Sequence, residues 1–276
     1  MPSVEENLRM WNQDYPWEQG GDEWSRGWGS PDMQWYGTLW PRLRSWLPRP
    51  VILEIGPGHG RWTQYLKELC ERLILVDLSE TCIRACRERF AGLMHLEYFV
   101  TDGRSLHMIP DGSVDFVFSF GSLVHAEADV FQAYLRQLFL KLKDGGLGMI
   151  HHSNIGNYRR YFRFMRRFPF RRLLARMGLV EPSDHWRAYS MTHQRFAQLA
   201  HAAGLCCVGQ ELITCATRRL IDCISYFAKR SGRADAPPRV LCNPSFDAEA
   251  ARLRWYWELG QAAAPVNPPE SHRDAT

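Results

Sequence analysis

From Val51 onward, short apolar runs alternate with stretches of about 10–15 residues whose apolar positions recur at helical spacing. VILEI (51–55), LILVDL (73–78), LEYFVTD (96–102), VDFVFSF (114–120) and LGMIHHS (147–153) read as buried strands. Residues 61–72 and 80–90 read as helices, with Ser79 a suitable N-cap for the second. An amphipathic helix fits 129–142, with KDGG (143–146) as the turn behind it. This alternation specifies an α/β fold, a doubly wound, Rossmann-like parallel sheet with helices on both faces. Residues 190–204 read as a further helix. LCCVGQELI (205–213) and RLIDCISYFA (219–228) read as two strands joined by a short turn, an antiparallel pair at the edge.

Two segments break this rhythm. Residues 1–48 hold seven of the eleven tryptophans: Trp11, Trp17, Trp24, Trp28, Trp35, Trp40 and Trp46. These rings either pack a helical N-terminal cap onto the main domain or roof a ligand pocket, and both roles can hold for different rings. Residues 157–178 carry eight arginines interleaved with aromatics. They read as an amphipathic helix with a solvated basic face, or as a lid, a contact for acidic substrates or a membrane-surface element. The expected organisation is a cap (1–48), a cofactor-binding part (49–156), an arginine-rich insertion (157–189), a C-terminal part of the same domain (190–259) and a disordered tail (260–276).

Composition narrows the classes. With 45% hydrophobic and 23% charged residues, the 276-residue chain has the balance of an ordinary globular protein. A net charge of +4 is too mild to imply nucleic-acid binding. No run is long and apolar enough for a transmembrane helix, and residues 1–23 lack the apolar centre of a signal peptide. The eight cysteines show no CxxC pair, which suits reduced thiols and a cytoplasmic location. A homodimer is compatible with all of this.

The chemistry starts at EIGPGHG (54–60). A triphosphate loop needs GxxxxGK[ST], and no lysine follows Gly60. A dinucleotide fingerprint, GxGxxG, places its third glycine one position later. The remaining reading is S-adenosylmethionine: Glu54 can engage the cofactor's ammonium, and Gly56 and Gly58 let the backbone approach the methionine part without Cβ clashes. Asp77, ending the second strand, suits two ribose hydroxyls. Asp102, ending the third, suits the adenine amino group.

With these motifs the chain resembles the class I S-adenosylmethionine-dependent methyltransferases over roughly residues 50–228. The resemblance rests on EIGPGHG, VDLS, TDG, DFVFS and RLIDCISYFA. It implies a seven-stranded sheet, six strands parallel and the last antiparallel, and methyl transfer to a nucleophile. It also implies cofactor contacts at Glu54, Gly56, Gly58, Asp77, Asp102, Ser119 and Phe120. GDEWS (21–25), GRWT (60–63), SLVHAEADV (122–130) and IHHSN (150–154) are similar to methyltransferases of bacterial polysaccharide gene clusters. Some of those O-methylate sugars, including the mycobacterial methylmannose polysaccharide, so this likeness implies a saccharide hydroxyl as acceptor. Natural-product or lipid O- or N-methyl transfer, and a catalytically silent cofactor-binding fold, stand as alternatives.

An alcohol acceptor needs its proton removed, by a base or at a metal ion. His125 follows the fourth strand, and His151 and His152 end the fifth. Adjacent strand residues face opposite ways, and His152 is the expected base of that pair, sharing a face with Ile150. Glu127, Asp184, His185, Trp186 and Tyr189 are the expected substrate contacts, an aromatic with an acid and a histidine suiting a sugar. An Mg²⁺ site would draw on Glu127 and Asp129, with Asp129 alternatively a helix cap.

Overall fold

The computed structural model describes residues 3–177, 179–181, 183–215, 217–230 and 237–263. Five strands expected from the apolar runs form: β1 (Val51–Ile55), β2 (Arg72–Asp77), β3 (Leu96–Val100), β4 (Val114–Ser119) and β5 (Leu142–Ser153). They lie in the order β3-β2-β1-β4-β5, all parallel. β5 begins five residues before the expected start, taking in the KDGG segment.

The C-terminal half corrects two expectations. β6 (Cys206–Ile213) and β7 (Asp222–Ala228) are antiparallel as expected, but β7 is inserted between β5 and β6. The edge is taken by an eighth strand, β8 (Arg239–Asn243), parallel to β6, so the sheet has eight strands and not seven. Four of the five β8 residues are exposed. A strand exposed on both faces carries no alternating apolar signal, which is why the pattern missed it.

Helices largely follow their local signals. Ser79 accepts the Cys82 amide (3.1 Å) at the start of the Glu80–Arg89 helix. The 129–142 helix runs from Ala128 to Lys141; its N-cap is Glu127, while Asp129 lies in the first turn and pairs with Arg104 (2.5 Å). The helix within 190–204 spans His193–Ala202, capped by Thr192. The expected 61–72 helix reduces to one α-turn, Thr63–Leu66. A final helix, Ala251–Ala263, reaches into the segment expected to be a disordered tail; the rest of that tail lies outside the described residues. Among the described residues no helix is long and apolar enough to cross a membrane.

Each face of the sheet buries its own core. One packs Leu53, Ile55 and Val76 against Phe131, Leu135 and Phe196 from the helices. The other packs Ile52, Leu75, Phe116 and Phe118 against Trp35, Leu39 and Leu43 from the N-terminal segment. Trp35 is 2% exposed and stacks on Tyr65 (4.7 Å, 8°), with Trp40 and Trp46 packed around the same core. The later part of the cap is therefore core. Its earlier rings have another role.

Candidate functional site

Above the carboxyl ends of β1, β2, β4 and β5 lies a cavity of about 510 Å³, within the range of small-molecule sites. Open parallel sheets place ligands at this edge. Its floor is the glycine turn. Gly56 has φ +72°, and a Cβ there would stand 2.5 Å from the Ser122 Cβ. Gly60 has φ +87°, and its Cβ would meet the Phe90 ring at 2.4 Å. Only glycine fits either position. The Gly58 amide donates to Asp77 Oδ2 (3.1 Å) and the Ser79 amide to Asp77 Oδ1 (2.9 Å), tying the turn to the end of β2. Asp77 lines the cavity, and burial raises its carboxyl to about 6.

Three expected cofactor contacts stand elsewhere. Glu54 is 1% exposed and lies behind the turn, where Thr63 Oγ1 donates to its Oε2 (2.6 Å). Its Oε1 has no partner, and burial pushes the carboxyl up to about 8. Asp102 is exposed and holds its own loop, accepting from the Arg104 and Ser105 amides (2.8 and 2.7 Å) and the Ser105 hydroxyl. Its neighbour Gly103 is the lining residue there. Ser119 is fully buried and its hydroxyl is unpartnered, outside the lining. Gly56, Gly58, Asp77 and Phe120 do line the cavity.

The roof comes from the early tryptophans. Trp11, Trp17, Trp24 and Trp28 line the cavity, and Trp17 stacks on His59 in the glycine turn (4.0 Å, 14°). Both readings of the tryptophan-rich segment hold, divided near Trp28. The opposite wall is Trp186, whose ring lies 6.2 Å from Trp11 and 5.1 Å from His125.

The two candidate bases separate cleanly. His125 lines the cavity, and its Nδ1 lies 2.9 Å from the Trp186 carbonyl oxygen. A carbonyl only accepts, so Nδ1 carries the proton and Nε2 is left as an acceptor. Burial lowers the ring to about 3, keeping it neutral. His152 is fully buried away from the cavity. It stacks on Phe196 (4.6 Å, 3°), its Nε2 meets Ser225 Oγ (2.8 Å) and its Nδ1 the Ser153 carbonyl (2.9 Å). The face that His152 shares with apolar Ile150 is the core side of β5, so the expected base stands in the core and not in the cavity. His151 faces the cavity instead, yet its Nδ1 accepts the Gly121 amide (3.2 Å) and its Nε2 faces Asp222 at 3.5 Å.

Of the expected substrate contacts, Glu127, His185 and Trp186 line the cavity, while Asp184 and Tyr189 lie on the far side of Trp186, joined by the Tyr189 hydroxyl donating to Asp184 (2.9 Å). The Mg²⁺ expectation does not fit. Glu127 accepts from the Ser190 amide (3.0 Å) and hydroxyl, and Asp129 is held by Arg104. Among the described residues His151, Cys215 and Asp222 form one buried group of metal-type ligands, but Arg187 grips both oxygens of Asp222 (2.8 Å each). A cation would have to share that carboxylate with a guanidinium.

Two arginines escaped the sequence reading. Arg187 neutralises Asp222, a buried acid within an apolar strand, which was the visible signal. Arg61 follows Gly60 directly and lines the cavity; it packs over the Trp62 ring (4.4 Å) and donates to Ser25 Oγ (3.4 Å). Among the described residues no carboxylate pairs with it, and burial lowers its pKa to about 10.

Residues 52–146 match the family model described as a methyltransferase domain. No curated protein matches the chain. Among solved structures it is similar to a Leishmania major S-adenosylmethionine-dependent methyltransferase (TM-score 0.55, 12% identity, covering 82% of each chain). It is similar also to a chain of the Haloferax volcanii complex of the Trm112 methyltransferase activator and a methyltransferase (TM-score 0.52, 17% identity, 76% of this chain and 96% of that one). A third is the CcbJ methyltransferase of Streptomyces caelestis (TM-score 0.50, 16% identity, 73% and 96%).

Proposed function

We propose that this chain, a methyltransferase by its domain at residues 52–146 and by the fold it shares with S-adenosylmethionine-dependent enzymes, transfers a methyl group to a hydroxyl of a sugar or oligosaccharide. The products are a methyl ether and S-adenosylhomocysteine, in a step of polysaccharide assembly. S-adenosylmethionine supplies the electrophilic methyl group. Asp77 holds its ribose hydroxyls, the turn at Gly56–Gly58 underlies its methionine part, and Arg61 receives its carboxylate.

The observation that carries the acceptor assignment is His125. Its Nδ1–H is held on a carbonyl, which leaves Nε2 as the ring's acceptor for a hydroxyl proton. Trp11 and Trp186 flank that ring, and indole faces suit the apolar face of a pyranose. Positioning against the methyl group supplies much of the remaining acceleration.

Transfer of label from methyl-labelled S-adenosylmethionine to a panel of mono- and oligosaccharides tests this, with and without chelator. We expect label in a saccharide and no effect of chelator. Label only in lipids or other natural products, with cofactor binding intact, would sink the sugar assignment. Cofactor binding with no transfer to any acceptor would favour a silent fold.

A further inference from the structure

A second pocket, about 220 Å³, lies behind Trp186 and shares Trp186 and Arg187 with the cavity. Its other wall is the Arg159–Arg167 helix, which presents Arg159, Arg163 and Arg166 at i, i+4 and i+7 on one face. The flank beside that face buries Phe162 and Met165, which anchors the helix while the arginines stay exposed at the pocket.

Charge there is unbalanced. Asp184 is the lining carboxylate, and both its oxygens are committed to scaffold: Oδ1 accepts the Trp186 amide (3.2 Å) and Oδ2 the Tyr189 hydroxyl (2.9 Å). Arg187 is taken by Asp222. Among the described residues no carboxylate pairs with Arg159, Arg163 or Arg166; Arg166 lies over the Tyr189 ring (5.4 Å). Four guanidinium groups against two carboxylates leave two positive charges in one recess.

The shared wall is also strained. His185 and Trp186 both lie in the left-handed region (φ 48° and 57°), where a non-glycine residue is held at some cost, usually at a ligand site. The Ser183 hydroxyl and Asp184 hold it on the pocket side, and His125 holds the Trp186 carbonyl on the cavity side.

We infer that this pocket is a phosphate subsite: the acceptor is a phosphate ester of a sugar, its phosphate gripped by Arg159, Arg163 and Arg166 while a hydroxyl reaches past Trp186 to His125. The inference rests on the methyl-transfer reading for the second half of that statement. Planar guanidinium forks match phosphate oxygens, and two excess positive charges match a group carrying about −1.5 to −2 better than a carboxylate.

The test is calorimetric titration of the full chain with inorganic pyrophosphate, with and without S-adenosylhomocysteine. We expect saturable binding, weakened at least about tenfold by Arg163→Gln and again by Arg166→Gln. No saturable binding by wild type, or equal binding by both variants, would overturn the subsite. Absent S-adenosylhomocysteine binding would instead count against the methyl-transfer reading, since pyrophosphate is titrated independently of it. A vesicle arm separates sources, because Phe164, Phe170 and Leu173 stand exposed on the same segment. Arg163-dependent sedimentation with phosphatidic acid vesicles, but not phosphatidylcholine vesicles, supports a lipid-borne phosphate; pyrophosphate binding without sedimentation supports a soluble sugar phosphate.

Discussion

On its β1–β2 side the cavity is walled by neighbours in sequence: the turn at Gly56–Gly60, the end of β2 at Asp77, and the backbone amides that join them. On its β5 side the wall is assembled from distant segments: Trp11 from the cap, His125 after β4, His151 on β5 and Trp186–Arg187 from the arginine-rich insertion. The first side is built largely of backbone, whose conformation glycine, strand and cap signals encode locally. The second is built of side chains that meet only because the chain returns three times.

The two sides also titrate in opposite senses. Burial raises the carboxyls of Glu54 and Asp77 to about 8 and about 6. A raised carboxyl contributes stability that is fully present below its unfolded value near 4 and is lost as pH rises toward the folded value. Burial lowers His125 to about 3, and does the same to His152 on the core face of β5. A lowered histidine contributes stability present above about 6.5 and lost as pH falls toward the folded value.

The largest effect expected from this contrast is on turnover. His125→Gln should cut kcat by about 100- to 10,000-fold while S-adenosylhomocysteine still binds, and His152→Phe should leave the rate within about threefold. The reverse result, from single-turnover assays of both variants, would break the assignment of the base. Next is the cofactor side. Asp77→Asn should weaken S-adenosylhomocysteine by about 10- to 100-fold in calorimetry, through lost charge-assisted hydrogen bonds; equal affinity would remove Asp77 from the ribose site.

Arg61→Met should cost about tenfold in S-adenosylhomocysteine affinity and nothing in methylthioadenosine affinity, because the latter lacks the carboxylate. Equal losses for both ligands would mean that Arg61 serves packing alone. Glu54→Gln should be the mildest change, keeping S-adenosylhomocysteine affinity within about threefold, since the side chain lies behind the turn and an amide oxygen can still accept from Thr63. It should also reduce the loss of melting temperature between about pH 4.5 and 8, the window between the ordinary and the raised Glu54 carboxyl. A large affinity loss in Glu54→Gln would restore the ammonium contact expected from the motif.

Sheet order beyond β5 shows the limit of local reading. LCCVGQELI and RLIDCISYFA were legible as an antiparallel pair because their apolar runs and short connection are local facts. That β7 would slot between β5 and β6 was not, because strand order is settled by which edges remain free. The paired histidines show the same limit at one residue's scale. Alternation correctly puts His151 and His152 on opposite faces, but which face meets helices and which meets the cavity depends on Phe196 and Phe120, both distant in sequence. Asp102 adds the converse lesson. A motif position places a backbone, while its side chain answers to whatever donors lie nearest, here the Arg104 and Ser105 amides.

By itself, then, the sequence determined the parallel sheet, the glycine turn, Asp77 at the end of β2 and the division of labour that a tryptophan-rich cap permits, because each follows from periodicity, backbone freedom or capping over a few residues. Tertiary structure alone decided which tryptophans roof the cavity, which histidine keeps a free acceptor nitrogen, and that Arg61 is left unpaired by any carboxylate among the described residues. Those outcomes depend on burial and on partners far along the chain, and neither desolvation nor pairing is defined until the segments have packed.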